Sequence, residues 1–387
     1  MRIALLTYST RPRGGVVHTL ALAEALAALG HDVTVWTLGR GGGFFRPVDP
    51  RVRLAVVPFP DRPGESVGER ILRSIALLRE AFTPSAYDVV HAQDCISANA
   101  VERCVRTVHH IDQFTTPELV ACHERAIVRP YAHVCVSSAV ASELSAGWGL
   151  SATVIPNGVD YERFASAVPH RAGPIPPVPD RTVQDPEFAD PFPPIPASTV
   201  HEPAFVDLEQ PYLLAVGGIE PRKGSLDLLT AYAELRASLP ELRLVIAGGE
   251  TLFDYRDYRA EWDAQAATLD LAPTVLGPVD HDALPALVAG AAAFAFPSTK
   301  EGFGLAAMEA LAAGIPVVVR DLPVLREVFG PAVGYGHDPS SLAAALLQAV
   351  KEPDPSRRDA GRALAAAHTW EAAARRHVEF YSSLPPA

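Results

Sequence analysis

The stretch with the strongest chemical content runs from Ser298 to Gly314, STKEGFGLAAMEALAAG. An apolar run ends at Pro297 just before it, a glycine-containing loop follows, and a helix is predicted to begin near Gly304. The start of a helix presents unpaired backbone N–H groups and about half a positive charge, which together attract an anion. The stretch therefore predicts an anion-binding site at this helix start.

Two carboxylates lie in the same stretch. Glu301 falls in the loop, and Glu309 falls about one and a half turns into the helix among Ala, Met and Leu. Burying a carboxylate in apolar surroundings is costly unless a cation or hydroxyl groups pair with it, and ribose and hexose hydroxyls are suitable donors. The alternative is that both are ordinary acids stabilised by the helix dipole. The loop glycines beside them favour a functional role.

The elements that must position these residues follow a repeating pattern. Arg2–Tyr8 is a predicted strand, a helix at about His18–Leu29 closes at Gly30, and Asp32–Leu38 is the next strand. A strand–helix–strand unit of this kind has parallel strands and a right-handed crossover. The pattern restarts at the strand Tyr212–Val216. We expect an α/β fold with two Rossmann-like, doubly wound parallel-sheet domains that face each other across a cleft.

A proline-rich segment separates the two halves. Twelve prolines occur between residues 169 and 211, and proline can neither continue a helix nor donate to a sheet. We therefore place a first domain at 1–165, completed by a C-terminal helix at 370–384. The linker is predicted at 166–211 and the second domain at 212–369.

Composition restricts the classes of function. The chain has 387 residues and a net charge of −12, which argues against a nucleic acid as its main partner. It contains no apolar run of about 18 residues, so no transmembrane segment is expected. The apolar start is too short for a signal peptide. Four cysteines at positions without zinc or thioredoxin-type spacing favour core thiols and a cytoplasmic location, namely Cys95, Cys104, Cys122 and Cys135.

A metal site is not expected. The one Asp-x-Asp sequence is Asp280-His281-Asp282, and it precedes a predicted helix at Ala283–Ala289. Aspartate before a helix commonly accepts hydrogen bonds from first-turn N–H groups. We therefore interpret it as a helix cap rather than as a clamp for a metal-bound diphosphate.

The residue pattern resembles that of a known enzyme family. Glu301 and Glu309, with seven residues between them, resemble the paired-glutamate motif of the retaining family-4 glycosyltransferases (glycosyl transferases group 1), which have the GT-B fold. The resemblance covers nearly the whole chain. Further matching segments, in the order of the family, are Gly14-Gly15, Val108-His109-His110, Ile155-Pro156-Asn157-Gly158-Val159-Asp160, Val216–Gly224 and the helix Trp370–Tyr381.

The resemblance implies a role for each matching residue. Glu309 would bind the donor ribose, Glu301 would face the donor sugar, and Lys223 would neutralise the leaving diphosphate. His109, at the end of a strand, would hydrogen-bond the transferred sugar. The implied backbone contacts come from Gly14 and Gly15 near the diphosphate, from Gly302, Phe303, Gly304 and Leu305 around the sugar and diphosphate, and from Val279 near the nucleobase.

One departure from the family pattern concerns charge. The family usually has Arg directly after the first glycine of the diphosphate loop, where this chain has Gly218. Two alternatives follow. Arg222 supplies the missing charge, or Lys223 acts with the helix dipole alone.

The function implied is transfer of a sugar from a UDP- or GDP-sugar, with retention, without metal and with no cofactor beyond the substrate. The acceptor could be a small molecule, a glycan or a lipid head group, and no motif indicates the oligomeric state. Alternatives are a sugar-nucleotide epimerase or phosphorylase on the same fold, or a non-catalytic two-domain binding protein. A dinucleotide-dependent oxidoreductase is disfavoured, because Gly-x-Gly-x-x-Gly does not follow the first strand.

Overall fold

The computed structural model describes residues 1–39, 43–111, 117–169, 210–248 and 255–385. These residues form two compact units. Unit one contains Met1–Gly158 and the C-terminal stretch that begins at Trp370, and unit two contains the described residues from Val159 to Thr369. Most of the proline-rich segment lies outside the described residues, so its extended conformation stays a prediction.

Unit one is built on a seven-stranded, entirely parallel sheet in the order β3-β2-β1-β4-β5-β6-β7. Its strands are β1 (Arg2–Leu6), β2 (Asp32–Gly39), β3 (Arg53–Pro58), β4 (Val89–Ala92), β5 (Val105–Val108), β6 (Ala132–Cys135) and β7 (Thr153–Val154). The central strand β1 reads as a continuous apolar run because helices cover both of its faces.

The helices of unit one follow the strands, and the last one returns from the end of the chain. They are α1 (Gly14–Ala28), α2 (Val67–Ala81), α3 (Cys95–Ala100), α4 (Pro117–Val128), α5 (Ser138–Trp148) and α14 (Trp370–Ser383). Helix α14 packs beside α1, and Ala374 and Tyr381 join the apolar core around β1.

Unit two repeats the design with six parallel strands in the order β10-β9-β8-β11-β12-β13. The strands are β8 (Tyr212–Val216), β9 (Arg243–Ala247), β10 (Thr274–Gly277), β11 (Ala293–Phe296), β12 (Val317–Arg320) and β13 (Gly334–Gly336). Its helices are α6 (Tyr161–Ala165), α7 (Ser225–Ser238), α8 (Arg256–Thr268), α9 (Leu284–Ala289), α10 (Leu305–Ala313), α11 (Pro323–Phe329), α12 (Pro339–Lys351) and α13 (Pro355–Ala367). Within the described ranges, no helix has the length and apolar character needed to cross a bilayer.

The two doubly wound parallel-sheet units predicted from the βα pattern are confirmed. Two details differ from expectation. Helix α6 belongs to unit two rather than to the first domain, because Phe164 is fully buried there and Arg163 donates to the His281 carbonyl. Gly14 and Gly15 form the first turn of α1 rather than a loop before it, since the chain is already helical one residue after the extended Arg13.

A tight backbone approach fixes the turn before α7, and two glycine substitutions test it. Gly224 has φ +63°, and a Cβ placed on it would lie 2.3 Å from the Pro297 carbonyl oxygen. Gly30 also has positive φ but open space around it. We expect Gly30→Ala to cost about 1 kcal/mol of unfolding free energy, from the left-handed conformation alone.

Gly224→Ala adds the clash with Pro297 and is expected to cost about 3 kcal/mol or more. Denaturant unfolding of both variants measures the difference. Equal losses would show that the Pro297 carbonyl moves aside freely and does not constrain the turn.

Candidate active site

Two loops of unit two meet at the carboxyl edge of its sheet. Strands β8 and β11 are neighbours, so the loop after β8 and the loop after β11 leave the same edge. The backbone N–H of Thr299 donates to the Arg222 carbonyl oxygen over 2.8 Å, which ties the two loops together. The sequence alone places their charged residues about 78 positions apart, and the fold brings them into contact.

The contact is an ion-pair cluster centred on Glu301. Lys223 Nζ lies 2.7 Å from Glu301 Oε1, and Arg222 Nη1 lies 3.1 Å from the same oxygen. Arg222 Nη2 also pairs with Glu220 Oε1 at 3.2 Å. The Glu301 side chain is only 10% exposed and the Lys223 side chain 20%. Among the described residues, two cations and two carboxylates therefore meet at a largely buried edge.

The helix that follows this loop begins without a side-chain cap. Gly304 occupies the N-cap position of α10 at φ +93°, and no side chain accepts from the first turn. A Cβ on Gly304 would lie 3.0 Å from the Phe329 ring, so the turn needs glycine for both its φ and its packing. Phe303 is buried and its ring lies 5.9 Å from that of His368, so this stretch offers a ligand its backbone rather than its aromatic ring.

Glu309 lies on α10, partly buried. Burial raises the pKa of its carboxyl to about 7. Arg163 opposes that shift and Asp160 adds to it, and both residues belong to the α6 region of the same unit. The protonated form of this carboxyl therefore persists to higher pH than that of an ordinary glutamate.

In unit one, the predicted histidine is next to the predicted glycine. Strand β5 ends at Val108, so His109 is the first residue beyond its carboxyl end. A Cβ built on Gly15 would lie 3.8 Å from the His109 ring. Burial lowers the pKa of His109 well below its ordinary value, with smaller contributions from His18 and Arg106. His109 is therefore neutral at neutral pH and suited to exchanging a hydrogen bond.

Comparison with known proteins places these features in a family. The model for Glycosyltransferase Family 4 matches residues 12–163, and the model for Glycosyl transferases group 1 matches residues 198–365. The two matches together cover most of the chain and all the charged and glycine positions described above. The chain belongs to the family-4 glycosyltransferases.

Relatives of this transferase match it over nearly full length. It is 28% identical to phosphatidyl-myo-inositol mannosyltransferase of Mycobacterium tuberculosis, over 99% of this chain and 97% of that protein. Among solved structures, sucrose-phosphate synthase of Thermosynechococcus elongatus superposes with a TM-score of 0.73 at 20% identity, covering 98% of both chains. Anabaena Alr3699/HepE in complex with UDP-glucose gives 0.70 at 18% identity, over 99% of this chain and all of that one. These structures share the GT-B fold with the transferase.

Three further predictions concern Val279, the sequence Asp280-His281-Asp282 and metal binding. Val279 is partly buried just beyond the end of β10, at the same sheet edge. The capping prediction for Asp280 is wrong for α9, which begins at Leu284 with Ala283 as an uncapped N-cap. Asp280 Oδ1 instead accepts the N–H of Asp282 at 2.8 Å, in the turn before the helix. The described residues contain no cluster of three or more histidine, cysteine or acidic side chains arranged to hold a metal ion.

Arg320 is a positioning residue that the sequence did not reveal. It is 8% exposed and ends strand β12. Its Nε donates to the Pro297 carbonyl at 2.8 Å, its Nη1 to the His337 carbonyl at 3.0 Å, and its Nη2 to Asp227 Oδ2 at 2.5 Å. One guanidinium therefore links three strand-end or helix-start segments around the Glu301 loop.

The sequence pattern also assigns no role to Ser298. It is 1% exposed, and its Oγ has no hydrogen-bond partner among the described residues. It lines a small cavity together with Gly217, Gly218 and Lys223. Gly218, at the position where the family usually has Arg, contributes no side chain to this cavity.

Unit one also contains a buried row of histidines that the sequence did not indicate. The His18 ring lies 4.8 Å from the His109 ring, and its Nδ1 lies 2.9 Å from Asn157 Oδ1. Burial lowers the pKa of His18 to about 3 and that of His377, on α14, to about 4. The final helix therefore packs on uncharged rings and helps to hold His109 in place.

Replacing Glu309 tests its raised pKa. A carboxyl whose folded-state pKa exceeds its unfolded value favours folding of the protonated form, so the protein loses stability as pH rises from about 4.5 through 7. We expect Glu309→Gln to match the wild type at pH 5 and to exceed its free energy of unfolding by about 2 kcal/mol at pH 8. Denaturant titrations at both pH values measure this, with exposed Glu352→Gln as the matched control. A pH-independent difference would refute the shift.

Removing the Arg320 clamp tests its positioning role. Arg320→Met leaves two carbonyls and Asp227 without their donor, and we expect a loss of about 2–4 kcal/mol in unfolding free energy. Arg326→Met removes an exposed pair with Asp321 and should cost less than about 1 kcal/mol. Thermal and denaturant unfolding give both values. Similar small losses in the two variants would leave Arg320 without a structural role.

Proposed function

We propose that this transferase moves a hexose from a nucleoside-diphosphate sugar, with UDP or GDP as the leaving group, to an acceptor hydroxyl. The observation that carries the proposal is the 2.7 Å contact between Lys223 Nζ and Glu301 at the edge from which the uncapped helix α10 begins. Cations beside free helix N–H groups suit the charge that develops on a departing diphosphate.

Each residue of the edge then has a task. Lys223, with Arg222 beside it, faces the leaving diphosphate, while backbone N–H groups from Gly302 to Leu305 bind its oxygens and the sugar hydroxyls. Glu309 accepts hydrogen bonds from the donor ribose. Glu301 orients the transferred sugar and holds the two cations until the diphosphate arrives.

In unit one, neutral His109 would donate or accept a hydrogen bond to the transferred sugar. Its Nε2 is buried and has no partner among the described residues. Such an atom is costly to leave unsatisfied, so a sugar hydroxyl is a suitable partner. Gly15, in contact distance of that ring, leaves room for a ligand to approach the start of α1.

The comparisons support the donor and acceptor classes. A protein of the same fold binds UDP-glucose, and a full-length relative is named for mannosyl transfer to phosphatidyl-myo-inositol. We therefore include both glucose and mannose donors. The acceptor class extends from soluble sugars to lipid head groups.

We further propose retention of anomeric configuration without a metal ion or other cofactor. A retaining glycosidase uses one carboxylate as nucleophile, whereas Glu301 is held by two cations and is poorly placed to attack. The leaving phosphate oxygen would instead help deprotonate the acceptor on the same face of the sugar. Lys223 and Arg222 would supply the positive charge that a metal supplies in other transferases.

Donor turnover in Lys223→Ala tests the proposal. We expect the wild type to release UDP or GDP from a matching sugar nucleotide, and Lys223→Ala to lower kcat about 10²–10³-fold, because a group fixed against developing charge is lost. A panel of UDP- and GDP-hexoses with coupled detection of the free diphosphate measures both. Lys351→Ala, an exposed lysine at the end of α12, is the matched control.

The outcomes separate the finer proposals. Unchanged turnover in Lys223→Ala would overturn the role of that lysine, and no turnover of any donor by the wild type would overturn the donor class. EDTA should leave the rate unchanged, and proton NMR of the initial product should show the donor's anomeric configuration. An isomerised nucleotide sugar or a sugar 1-phosphate as product would identify an epimerase or a phosphorylase instead.

A further inference from the structure

Helix α1 brings two residues to the ring of His109. Gly15 and His18 lie three positions apart and therefore on the same face of the helix. A Cβ on Gly15 would lie 3.8 Å from Cδ2 and Nε2 of His109. The His18 ring lies 4.8 Å from the His109 ring, centroid to centroid, at an interplanar angle of 79°. Edge-to-face geometry of this kind is favourable for ring pairs, so His18 provides a side-chain contact that Gly15 cannot.

A hydrogen bond holds His18 in one orientation. The residue is 1% exposed, and its Nδ1 lies 2.9 Å from Oδ1 of Asn157. An amide oxygen only accepts, so the proton of the His18 ring is on Nδ1. Burial lowers the pKa of His18 to about 3, so the ring is neutral near pH 7. The hydrogen bond thus fixes both the tautomer and the rotation of the ring.

Helix α14 packs on the same ring. The Trp370 ring lies 5.4 Å from the His18 ring at an angle of 78°. The His377 ring, about two turns further along α14, lies 6.3 Å from it. His377 is fully buried, and burial lowers its pKa to about 4. Uncharged rings therefore confine His18 on the side of α14, while Asn157 holds its Nδ1.

These contacts join segments that are far apart in the sequence. Asn157 lies 139 positions beyond His18 and directly precedes Gly158, where the first stretch of unit one ends. Trp370 begins the last stretch of this unit. One side chain of α1 therefore packs on both segments through which the described chain leaves and re-enters unit one, and on His109 as well.

A histidine is a costly residue if His18 only fills space. Its Nε2 is buried and has no hydrogen-bond partner among the described residues, and a buried polar atom without a partner reduces stability. A phenylalanine ring would fill a similar volume without that cost. The nitrogen that is used, Nδ1, is the one that sets the orientation of the ring. The histidine thus supplies a defined orientation in addition to volume.

We propose that His18 is a positioning residue for His109. Its ring, locked by Asn157, holds the His109 ring so that Nε2 of His109 meets the transferred sugar beside Gly15. This rests on the proposed transferase function and adds a residue that acts through His109 without touching the substrate. Loss of the His18 ring should therefore slow turnover without weakening the binding of the donor.

Two substitutions separate the ring of His18 from its hydrogen bond. His18→Asn keeps an N–H that reaches Asn157 but has no ring, and His18→Phe keeps a ring but has no N–H. We expect His18→Asn to lower kcat for donor turnover about tenfold, because a misplaced catalytic group slows the chemical step. The donor KM should change less than about twofold, and His18→Phe should keep kcat within about threefold of the wild type.

His133→Asn is the matched control. His133 is also a buried histidine of unit one, 5% exposed, and its Nε2 bonds to the Ile127 carbonyl. Its loss should leave kcat unchanged when each variant is assayed well below its thermal midpoint. A kcat loss in His133→Asn equal to that in His18→Asn would reduce the effect to general destabilisation and overturn the proposal. A loss in His18→Phe as large as that in His18→Asn would overturn it too, as would an effect on KM alone.

The orientation of His109 can be measured without a donor. In protein labelled with ¹³C in its histidine rings, the Cδ2 and Cε1 resonances of His109 are identified by their loss in His109→Gln. We expect one narrow set in the wild type and in His18→Phe, and broadened or split resonances in His18→Asn, where the ring regains rotation. Unchanged resonances in His18→Asn would overturn the proposal. A wild type that turns over no nucleotide sugar would overturn the transferase function, and the spectra would still decide the role of His18.

A double-mutant cycle tests the lock. Asn157→Ala leaves the His18 N–H without its acceptor, and we expect it to lower kcat about threefold in the wild type. In His18→Phe the same substitution has no hydrogen bond to remove and should change kcat no further. Equal losses in both backgrounds would overturn the role of the hydrogen bond. If His18→Asn does not fold, this cycle and the spectra of Asn157→Ala decide, with a narrow, unshifted His109 set in Asn157→Ala counting against the proposal.

Discussion

The candidate site in unit two depends on the ion pairs that the Glu301 carboxylate forms with Lys223 and Arg222. Glu301 lies in the loop after β11, and Lys223 and Arg222 lie in the loop after β8. Because β8 and β11 are neighbouring parallel strands, their following loops lie at the same edge, and the ion pairs join them. With Glu220 included, two carboxylates face two cations among the described residues, and this compensation lowers the cost of burying each charge without ligand. Under the proposed function, an entering diphosphate would take these cations from the carboxylates that hold them in the protein without ligand.

The rest of unit two keeps that edge rigid. Arg320 donates a hydrogen bond to the Pro297 carbonyl, and Gly224 permits the backbone before α7 to lie against the same carbonyl. Gly304 is the N-cap of α10, and no side chain accepts a hydrogen bond from the N–H groups of the first turn. Arg320, Gly224 and Gly304 thus help to present backbone groups rather than side chains at the carboxyl edge of the sheet. Under the proposed function, such backbone groups suit the phosphate and sugar oxygens that related donors have in common.

Local patterns were sufficient for the elements and for residues at strand ends. The predicted strand Tyr212–Val216 coincides with the structure, and the predicted strand Asp32–Leu38 ends one residue short of β2, because each is an apolar run bounded by glycine, proline or charge. Lys223 and Glu301 each follow an apolar run of the second domain, but only the structure shows that these two strands are neighbours and that the two side chains are in contact.

Residues whose partners are distant in sequence could not be foreseen. Arg320 reaches Asp227, 93 positions away, and the ring of His18 on α1 lies 6.3 Å from the ring of His377 on α14. Arg320 ends a strand, and His18 and His377 lie in helices. Their local sequence patterns do not distinguish them from surface residues.

Under the proposed function, the raised pKa of Glu309 links binding of the donor ribose to the release of a proton. A carboxyl with a pKa of about 7 is shared between two charge states at neutral pH, and hydroxyl donors stabilise the charged one. Binding of a ribose to Glu309 therefore releases a fraction of a proton to the solvent. The heat of association then depends on the ionisation enthalpy of the buffer, and the affinity for the nucleotide strengthens with alkalinity until the carboxyl is fully ionised.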